Sequence, residues 1–320
     1  MTKMMTKLRP PTKRAQQKWL DVPNTNPIAR RMSAAEFKLG DLGSTGGVGL
    51  RAVYLCGPPG IGKTHQIIAQ ERAWRGQGID PIRVRPSNVR DLIDHFAEAD
   101  GRRPIVMEEA DIIFRSKPMF EVLKQATDPL TPDFLYRIVV IEKEKVQMPV
   151  NLNVPIIVST NMDLTSDDGW DKDLLPDRDA LFNRSWPVVF AEDPIALWEW
   201  SVYLALTTFL TMEVMLRHPN GGPPIPQENP LAVQAQAIEW FTENLNRLAV
   251  ISPRTLKFIA QCMGRAHRKD MPVAIMQDEL EALLLPERSE PVTLPRKENW
   301  AGLLRFLPKQ SPPARLLRAA

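Results

Sequence analysis

The chain of 320 residues carries a formal net charge of +3, and 43% of its residues are hydrophobic and 25% charged. This composition is typical of a globular protein, and the length suits one domain of ordinary size plus a smaller one. The charge is too small to indicate a nucleic-acid partner by itself. Two cysteines, Cys56 and Cys262, do not suggest a disulfide framework, which favours a reducing, cytoplasmic environment.

Neither an export signal nor a membrane span is predicted. The N-terminus is basic, but no apolar stretch follows it, so it does not have the pattern of a secretory signal. Residues 195–216 are apolar, but Glu199 and Glu213 leave too few residues between them to span a bilayer. We therefore interpret this stretch as a buried helix and expect no membrane contact.

The first 35 residues are predicted as a basic N-terminal arm. Six basic residues appear before any acid: Lys3, Lys7, Arg9, Lys13, Arg14 and Lys18. Such an arm could contact the phosphates of DNA, and a solvated, disordered terminus is the alternative. Residues 40–49 are rich in glycine but lack a lysine, and we interpret them as a connector.

The clearest motif follows a short apolar run, Val53–Cys56, which is predicted as a buried strand. Residues 57–64 fit the pattern G-x-x-x-x-G-K-[ST], and a helix is predicted directly after them. In this context the backbone N–H groups and the helix N-terminus bind phosphate, while the lysine reaches the outer phosphates and the threonine hydroxyl ligates Mg²⁺. The predicted nucleotide-binding residues are Gly57, Pro58, Pro59, Gly60, Ile61, Gly62, Lys63, Thr64 and His65.

A second motif ends the strand predicted at Ile105–Met107, where Glu108 and Glu109 follow one another. A short strand at Pro81–Arg85 and a helix capped by Ser87 precede it. Acids at the carboxyl end of a parallel strand lie where open α/β sheets bind ligands. One carboxylate can hold Mg²⁺ through water while the other polarises an attacking water. The alternative is an ordinary charged transition from strand to loop.

These two motifs resemble Walker A (57–64) and Walker B (105–111) of the AAA+ ATPases. The resemblance implies a three-layer α/β/α parallel-sheet domain at 36–192, a helical lid at 193–285 and a C-terminal tail at 286–320. It also implies ATP and Mg²⁺ as cofactors. Glu109 matches the catalytic glutamate. Glu108 matches the aspartate on the Mg²⁺ side, with one additional methylene.

Further segments match the family in the expected order. A helix is predicted at Met119–Thr127, and a hairpin surrounds 142–144. Asn161 ends the next strand and matches sensor 1, which orients the attacking water; a turn asparagine is the alternative. Arg184 resembles the arginine finger that acts on the nucleotide of a neighbouring subunit, with Arg178 as the second choice. The alternative for Arg184 is a surface arginine that pairs with Asp177 or Asp179.

The lid is predicted to begin with a helix from Asp193–Pro194 to residue 218. A loop at 220–230, a helix at 231–248 and a helix opened by Ser252 should follow. Arg254 lies in the first turn of this last helix and matches sensor 2, which contacts the nucleotide; an exposed arginine is the alternative.

The resemblance therefore implies an ATP-hydrolysing enzyme that remodels or loads a protein or a protein–DNA complex. An arginine finger acting in trans requires at least a dimer, and we predict a homo-oligomeric ring, specifically a hexamer. Residues 85–88 lack the aromatic pore loop of threading members, so the chain looks more like clamp loaders and helicase loaders. The hairpin is similar to that of MoxR-type ATPases, whose clients are folded proteins. A P-loop small-molecule kinase and a slowly hydrolysing oligomeric scaffold are the alternatives.

Overall fold

The computed structural model describes most of the chain. The described residues are 11–45, 51–128, 134–141, 144–167, 170–190, 193–208, 210–216, 225–285, 295 and 298–309. They divide into two compact units, one within Arg30–Ala191 and the other within Met1–Ala29 and Glu192–Ala320. Among the residues described, every helix is too short or too polar to cross a membrane.

Two helices, α1 Lys13–Thr25 and α2 Pro27–Thr45, precede the first strand. The elements that follow, up to residue 191, are β1 Ala52–Cys56, α3 Lys63–Gly76, β2 Ile82–Val84, α4 Val89–Ala99, β3 Ile105–Met107, α5 Lys117–Thr127, β4 Phe134–Ile141, β5 Glu144–Asn151, β6 Ile156–Thr160, α6 Leu175–Asn183 and β7 Trp186–Val189. A 3₁₀ helix, Ala110–Arg115, lies between β3 and α5.

The unit within Arg30–Ala191 is built on a five-stranded sheet in the order β2-β3-β6-β1-β7, and every neighbouring pair of strands is parallel. All five residues of β1 and of β6 are buried, as expected for strands with helices on both faces. Alternate residues of these strands, such as Tyr54 and Val158, pack in one core with Phe96 and Phe120 of the helices. The predicted three-layer α/β/α fold is confirmed.

The local signals for strands and helices hold with small shifts. The hairpin forms as β4 and β5, although residues 142 and 143 lie outside the described part. Asn88, not Ser87, caps α4, because its side-chain oxygen accepts from the backbone N–H of Asp91 at 3.0 Å. The Asp91 carboxylate accepts from the backbone N–H of Ser87, the residue before the cap, at 2.8 Å.

The second unit contains α1 and all elements after residue 192. In chain order these elements are α7 Pro194–Thr207, β8 Glu213–Leu216, β9 Ile225–Glu228, α8 Leu231–Glu243, α9 Pro253–Arg268, α10 Val273–Leu284 and α11 Trp300–Phe306. Their apolar faces share one core. Ser252 caps α9 as expected, accepting from the backbone N–H of Thr255 at 3.2 Å.

The helix predicted from Asp193–Pro194 to residue 218 is shorter than expected, and this prediction was wrong. α7 ends at Thr207, and Glu213–Leu216 pairs as a strand with β9, which lies in the predicted loop. The hydroxyls of Thr207 and Thr208 bond to carbonyls four residues earlier, and such branched, back-bonding residues weaken a helix end. Residues 217–224 lie outside the described part. α8 likewise ends at Glu243 rather than at 248.

The region predicted as a basic arm contains ordered helices. Trp19 of α1 is fully buried, makes edge contacts with Trp198 and Trp300, and donates from Nε1 to Glu298 at 2.7 Å. Lys18 pairs with the same carboxylate at 2.6 Å, so one of the six basic residues has a structural role. The glycine-rich connector is helical as far as Thr45; residues 1–10 and 46–50 lie outside the described part.

Candidate nucleotide site

The phosphate loop joins the buried strand β1 to the N-terminus of α3, as its pattern predicts. Gly57 and Gly62 have φ angles of 135° and 117°, a region that favours glycine. A Cβ at Gly57 would lie 2.9 Å from both the Cβ and the carbonyl oxygen of Phe190, which follows β7. Glycine is therefore required here because the loop lies against a neighbouring strand and turns where other residues are strained.

Lys63 turns its amino group into the loop rather than toward solvent. Its side chain is buried, and Nζ donates to the carbonyl oxygens of Gly57 and Pro58, the latter at 2.9 Å. Nζ also donates to Oδ1 of Asn161 at 3.0 Å. The predicted phosphate-binding lysine and the predicted sensor 1 asparagine, 98 residues apart in the chain, are thus in direct contact.

Thr64 and His65 occupy the first turn of α3, and Thr64 is exposed. Partial desolvation and the charge of Arg72 lower the pKa of His65 below its ordinary value, which favours a neutral imidazole. Burial raises the pKa of the Cys56 thiol at the end of β1, so this cysteine stays protonated and serves as a core residue.

Glu108 follows β3 and is buried, with one oxygen 3.1 Å from Nη1 of Arg83 on the neighbouring strand β2. Arg83 also binds both oxygens of Glu71 on α3, at 2.9 and 2.7 Å. The Glu71 hydrogen bonds and the two carboxylate charges raise the pKa of Arg83, against an opposing effect of desolvation. The side chain predicted to serve Mg²⁺ is therefore part of a Glu71–Arg83–Glu108 network, which the sequence did not indicate.

Glu109 differs from Glu108 in its exposure. Its backbone has a φ of 52°, and its exposed carboxylate pairs with Arg85 at 3.0 Å. A non-glycine residue in this region is uncommon and is found preferentially at functional sites. Both carboxylates of the pair are thus matched by arginines, Arg83 within β2 and Arg85 directly after it.

Asn161 directly follows β6, and its position is fixed through a residue that sequence analysis did not single out. Oδ1 of Asp111 accepts from the Thr160 hydroxyl at 2.5 Å and from the Asn161 backbone N–H at 3.1 Å. Asp111 lies in the 3₁₀ helix directly after Glu109. In the sequence, the one indication of a role for Asp111 was its place in the segment that resembles Walker B. Its hydrogen-bond partners could not be predicted, because they lie 49 and 50 residues away in the chain.

The strand register explains why these groups meet. β1, β6 and β3 are adjacent and parallel, with Cys56 opposite Thr160 and Met107 opposite Val158. The residues that follow these three strands therefore emerge at the same edge of the sheet. The phosphate loop, Asn161 and the two glutamates therefore form one candidate site at this edge.

The oxygen donors at this edge fit Mg²⁺. Hydroxyl and carboxylate oxygens are its preferred protein ligands, and in nucleotide sites one or two of them suffice because phosphates and waters complete the octahedron. Within the described ranges, no three His, Cys, Asp or Glu side chains cluster as a self-sufficient metal site. Thr64 with Glu108 would hold the ion, which would neutralise charge on the phosphates.

The two candidate finger arginines have different surroundings. Arg178 is buried on Trp170, and its guanidinium binds Asp179, Asp167 and the carbonyl of Ser166. Such a side chain has little freedom to reach another subunit.

Arg184, at the end of α6, is partly exposed and pairs with Asp128 at 2.8 Å, not with Asp177 or Asp179 as its alternative supposed. Asp177 instead pairs with Lys124 at 2.5 Å. Arg254 lies in the other unit, at the second position of α9, and its side chain is exposed. Its role as sensor 2 stays a prediction.

No family model and no curated protein matches the chain. Among solved structures it is similar to the replication initiator DnaA bound to AMPPCP and single-stranded DNA, with 12% identity over 73% of this chain and 63% of that one and a TM-score of 0.41. It is also similar to NtrX from Brucella abortus, with 14% identity over 84% of this chain and 63% of that one and a TM-score of 0.38. A third similar structure is the DnaC helicase loader, with 15% identity over 57% of this chain and 93% of that one and a TM-score of 0.26. The chain thus spans less than two thirds of the length of the first two.

The features of the chain itself are more informative. A phosphate loop follows β1, paired carboxylates follow β3, an asparagine follows β6, and all three lie at one edge of a parallel sheet. The chain therefore has an α/β/α fold with a phosphate-loop motif, and the order of its motifs resembles that of the AAA+ ATPases.

Proposed function

We propose that this protein is an AAA+ ATPase that binds and hydrolyses ATP with Mg²⁺ at a subunit interface and thereby remodels or loads a protein or a protein–DNA complex. The observation that carries the proposal is the 3.0 Å contact between Lys63 Nζ and Asn161 Oδ1. It supports the proposal because the lysine expected to bind phosphate and the asparagine expected to orient water meet at the sheet edge where Glu108 and Glu109 emerge.

In this proposal each residue has one task. The backbone of the phosphate loop and Lys63 bind the phosphates, and Lys63 exchanges its carbonyl partners for phosphate oxygens. Glu109 accepts the proton of the attacking water, and Asn161 orients that water. Arg184, released from Asp128, stabilises charge on the nucleotide of the adjacent subunit in a homo-oligomeric ring, which we expect to be a hexamer.

The first test is steady-state ATP hydrolysis with Glu109→Gln as the blank. Hydrolysis above the blank supports the proposal, and no activity above the blank contradicts it. Added single- and double-stranded DNA then separates two kinds of client. Stimulation by DNA supports a protein–DNA complex, whereas indifference directs the search to proteins retained by the Glu109→Gln variant.

A mixing experiment tests whether Arg184 acts in trans. Arg184→Ala and Glu109→Gln subunits should each be inactive alone, but a mixed ring contains interfaces with an intact Glu109 on one side and an intact Arg184 on the other. We therefore expect partial recovery of activity on mixing. Arg102→Ala, an exposed arginine 3.6 Å from Asp100, is the matched control and should be active by itself. If mixing restores nothing, Arg184 is not a finger acting in trans.

A slowly hydrolysing, ATP-dependent scaffold is the second candidate. The observation that favours it is the pairing of both Walker B carboxylates with Arg83 and Arg85. These pairs compete with the metal and with the attacking water for the same oxygens. The scaffold predicts oligomers that form with ATP and persist for as long as the nucleotide remains bound, with turnover close to the Glu109→Gln blank.

A further inference from the structure

From its contacts, we infer that Asp111 is a positioning residue that connects the Walker B segment to the sensor asparagine. The inference rests on the proposed function, because it concerns how Asn161 is held for catalysis. It assigns to a third acid, two residues beyond Glu109, a task distinct from metal binding and proton transfer.

Two hydrogen bonds converge on one oxygen atom of Asp111. Oδ1 of Asp111 accepts the hydroxyl hydrogen of Thr160 and the backbone N–H of Asn161. The Thr160 hydroxyl, itself buried, also accepts from the backbone N–H of Met162 at 3.1 Å. The backbone on both sides of Asn161 is therefore fixed by a hydrogen-bond network that depends on one accepting oxygen.

This network decides where the Asn161 side chain points. With its backbone held at the end of β6, Asn161 places Oδ1 3.0 Å from Lys63 Nζ. Asparagine after a strand readily adopts alternative turn conformations, so a strand end alone does not fix its direction. The Asp111 carboxylate supplies the constraint that the strand lacks.

The position of Asp111 in the chain gives the network a second consequence. It lies in the 3₁₀ helix that begins one residue after Glu109, whose own backbone has a φ of 52°. A short, hydrogen-bonded segment thus joins Glu109 to Asn161 across neighbouring strands. The group that takes the proton and the group that orients the water are held in one frame, which favours a fixed geometry for attack.

The deciding variants are Asp111→Ala and Asp111→Asn. Alanine removes the accepting oxygen, whereas asparagine keeps an Oδ1 that can accept both hydrogens without the charge. Asp171→Ala is the matched control, because it also removes a carboxylate that accepts a backbone hydrogen bond, here from the N–H of Asp173 at 3.1 Å, outside the Asp111 network. If Asp111→Ala fails to fold, Thr160→Val provides the test, since it removes one of the two bonds and keeps the carboxylate.

Two measurements are made on each variant. Protein labelled with ¹⁵N-asparagine reports the backbone and side-chain signals of Asn161, identified by their loss in Asn161→Ala. Steady-state hydrolysis gives kcat and KM for ATP. We expect Asp111→Ala to move both Asn161 signals and to lower kcat by roughly 10- to 100-fold, while KM stays within about twofold, because only the orientation of the attack is lost.

Asp111→Asn should keep the Asn161 signals near their wild-type positions and retain most of kcat, and Asp171→Ala should change neither. Thr160→Val should shift the Asn161 signals, with a smaller loss of kcat than Asp111→Ala. Unchanged Asn161 signals in Asp111→Ala would overturn the inference whether or not the protein hydrolyses ATP. Equal damage by alanine and asparagine would also overturn it, because the charge would then matter rather than the accepting oxygen. Absence of hydrolysis in the wild type would refute the proposed function, while the signals would still decide the role of Asp111.

Discussion

Replacement of Arg83 by methionine should destabilise the protein more than any ordinary surface change. Arg83 binds Glu71 through two hydrogen bonds and Glu108 at 3.1 Å. The Glu71 and Glu108 side chains are only 4% and 10% exposed. Arg83→Met would leave two carboxylates in these positions without their shared cation.

The magnitude follows from burial. Removing one partner of a fully buried ion pair costs about 3–5 kcal/mol. Because the Arg83 side chain is 38% exposed, solvent screens part of this interaction, and we expect a loss of about 2–4 kcal/mol. For a unit of this size the loss corresponds to a decrease in Tm of roughly 4–16 °C.

Urea unfolding and thermal unfolding measure the effect, with Arg102→Met as the control. Arg102 is 84% exposed and lies 3.6 Å from Asp100, so the same substitution there should cost less than about 0.5 kcal/mol. The double variant Arg83→Met/Glu71→Met should be more stable than Arg83→Met alone, because one of the two carboxylates that lost Arg83 is removed with it. Equal stability of Arg83→Met and Arg102→Met would refute the reasoning.

Three further predictions concern the rest of the molecule. Trp19→Ala should lower the free energy of unfolding by about 3–5 kcal/mol in urea titrations, because the indole is fully buried. A loss below about 1 kcal/mol would contradict the packing of α1 in the core and favour the prediction of a flexible arm. Gly264→Ala should lower Tm, because its Cβ would lie 2.0 Å from Oδ1 of Asn229, whereas Gly40→Ala, with no atom within 4 Å, should leave Tm unchanged or raise it. Hydrogen bonds lower the pKa of Asp91, first the one from the backbone N–H of Ser87, while desolvation has a smaller raising effect. The contribution of Asp91 to the stability of the fold is therefore fully present above the ordinary carboxyl pKa, and it is lost as the pH falls through the lowered pKa. Asp91→Asn should therefore destabilise the protein at neutral pH and converge with the wild type in acid, and a constant difference at all pH values would contradict this reasoning.

The features that the sequence predicted well depend on neighbouring residues. The phosphate loop is a local pattern of glycines after an apolar strand, and its conformation follows from positive φ angles at Gly57 and Gly62. The cap at Ser252 and the strand that Asn161 directly follows are local in the same sense. Such signals are contained within a few residues, so the sequence displays them directly.

The missed features depend on residues that are distant in the chain. The helix after Asp193 was predicted too long because its apolar residues continue beyond Thr207, where Glu213–Leu216 pairs with Ile225–Glu228 instead. The basic composition near the N-terminus concealed Trp19, whose burial depends on Trp198 and Trp300. Composition reports the charge of a segment but not the partner that its apolar face will find.

The sequence by itself therefore determined the α/β/α class, the phosphate loop and the order of the motifs, because strand periodicity and glycine geometry act over short distances. Only the tertiary structure decided that Lys63 meets Asn161, that Arg83 joins Glu71 to Glu108, and that Asp111 holds the end of β6. Each of these contacts crosses between elements, and the parallel register of β1, β6, β3 and β2 brings the residues together. This register determines which polar groups pair at the sheet edge, because the position of each strand end sets the position of the residues directly after it.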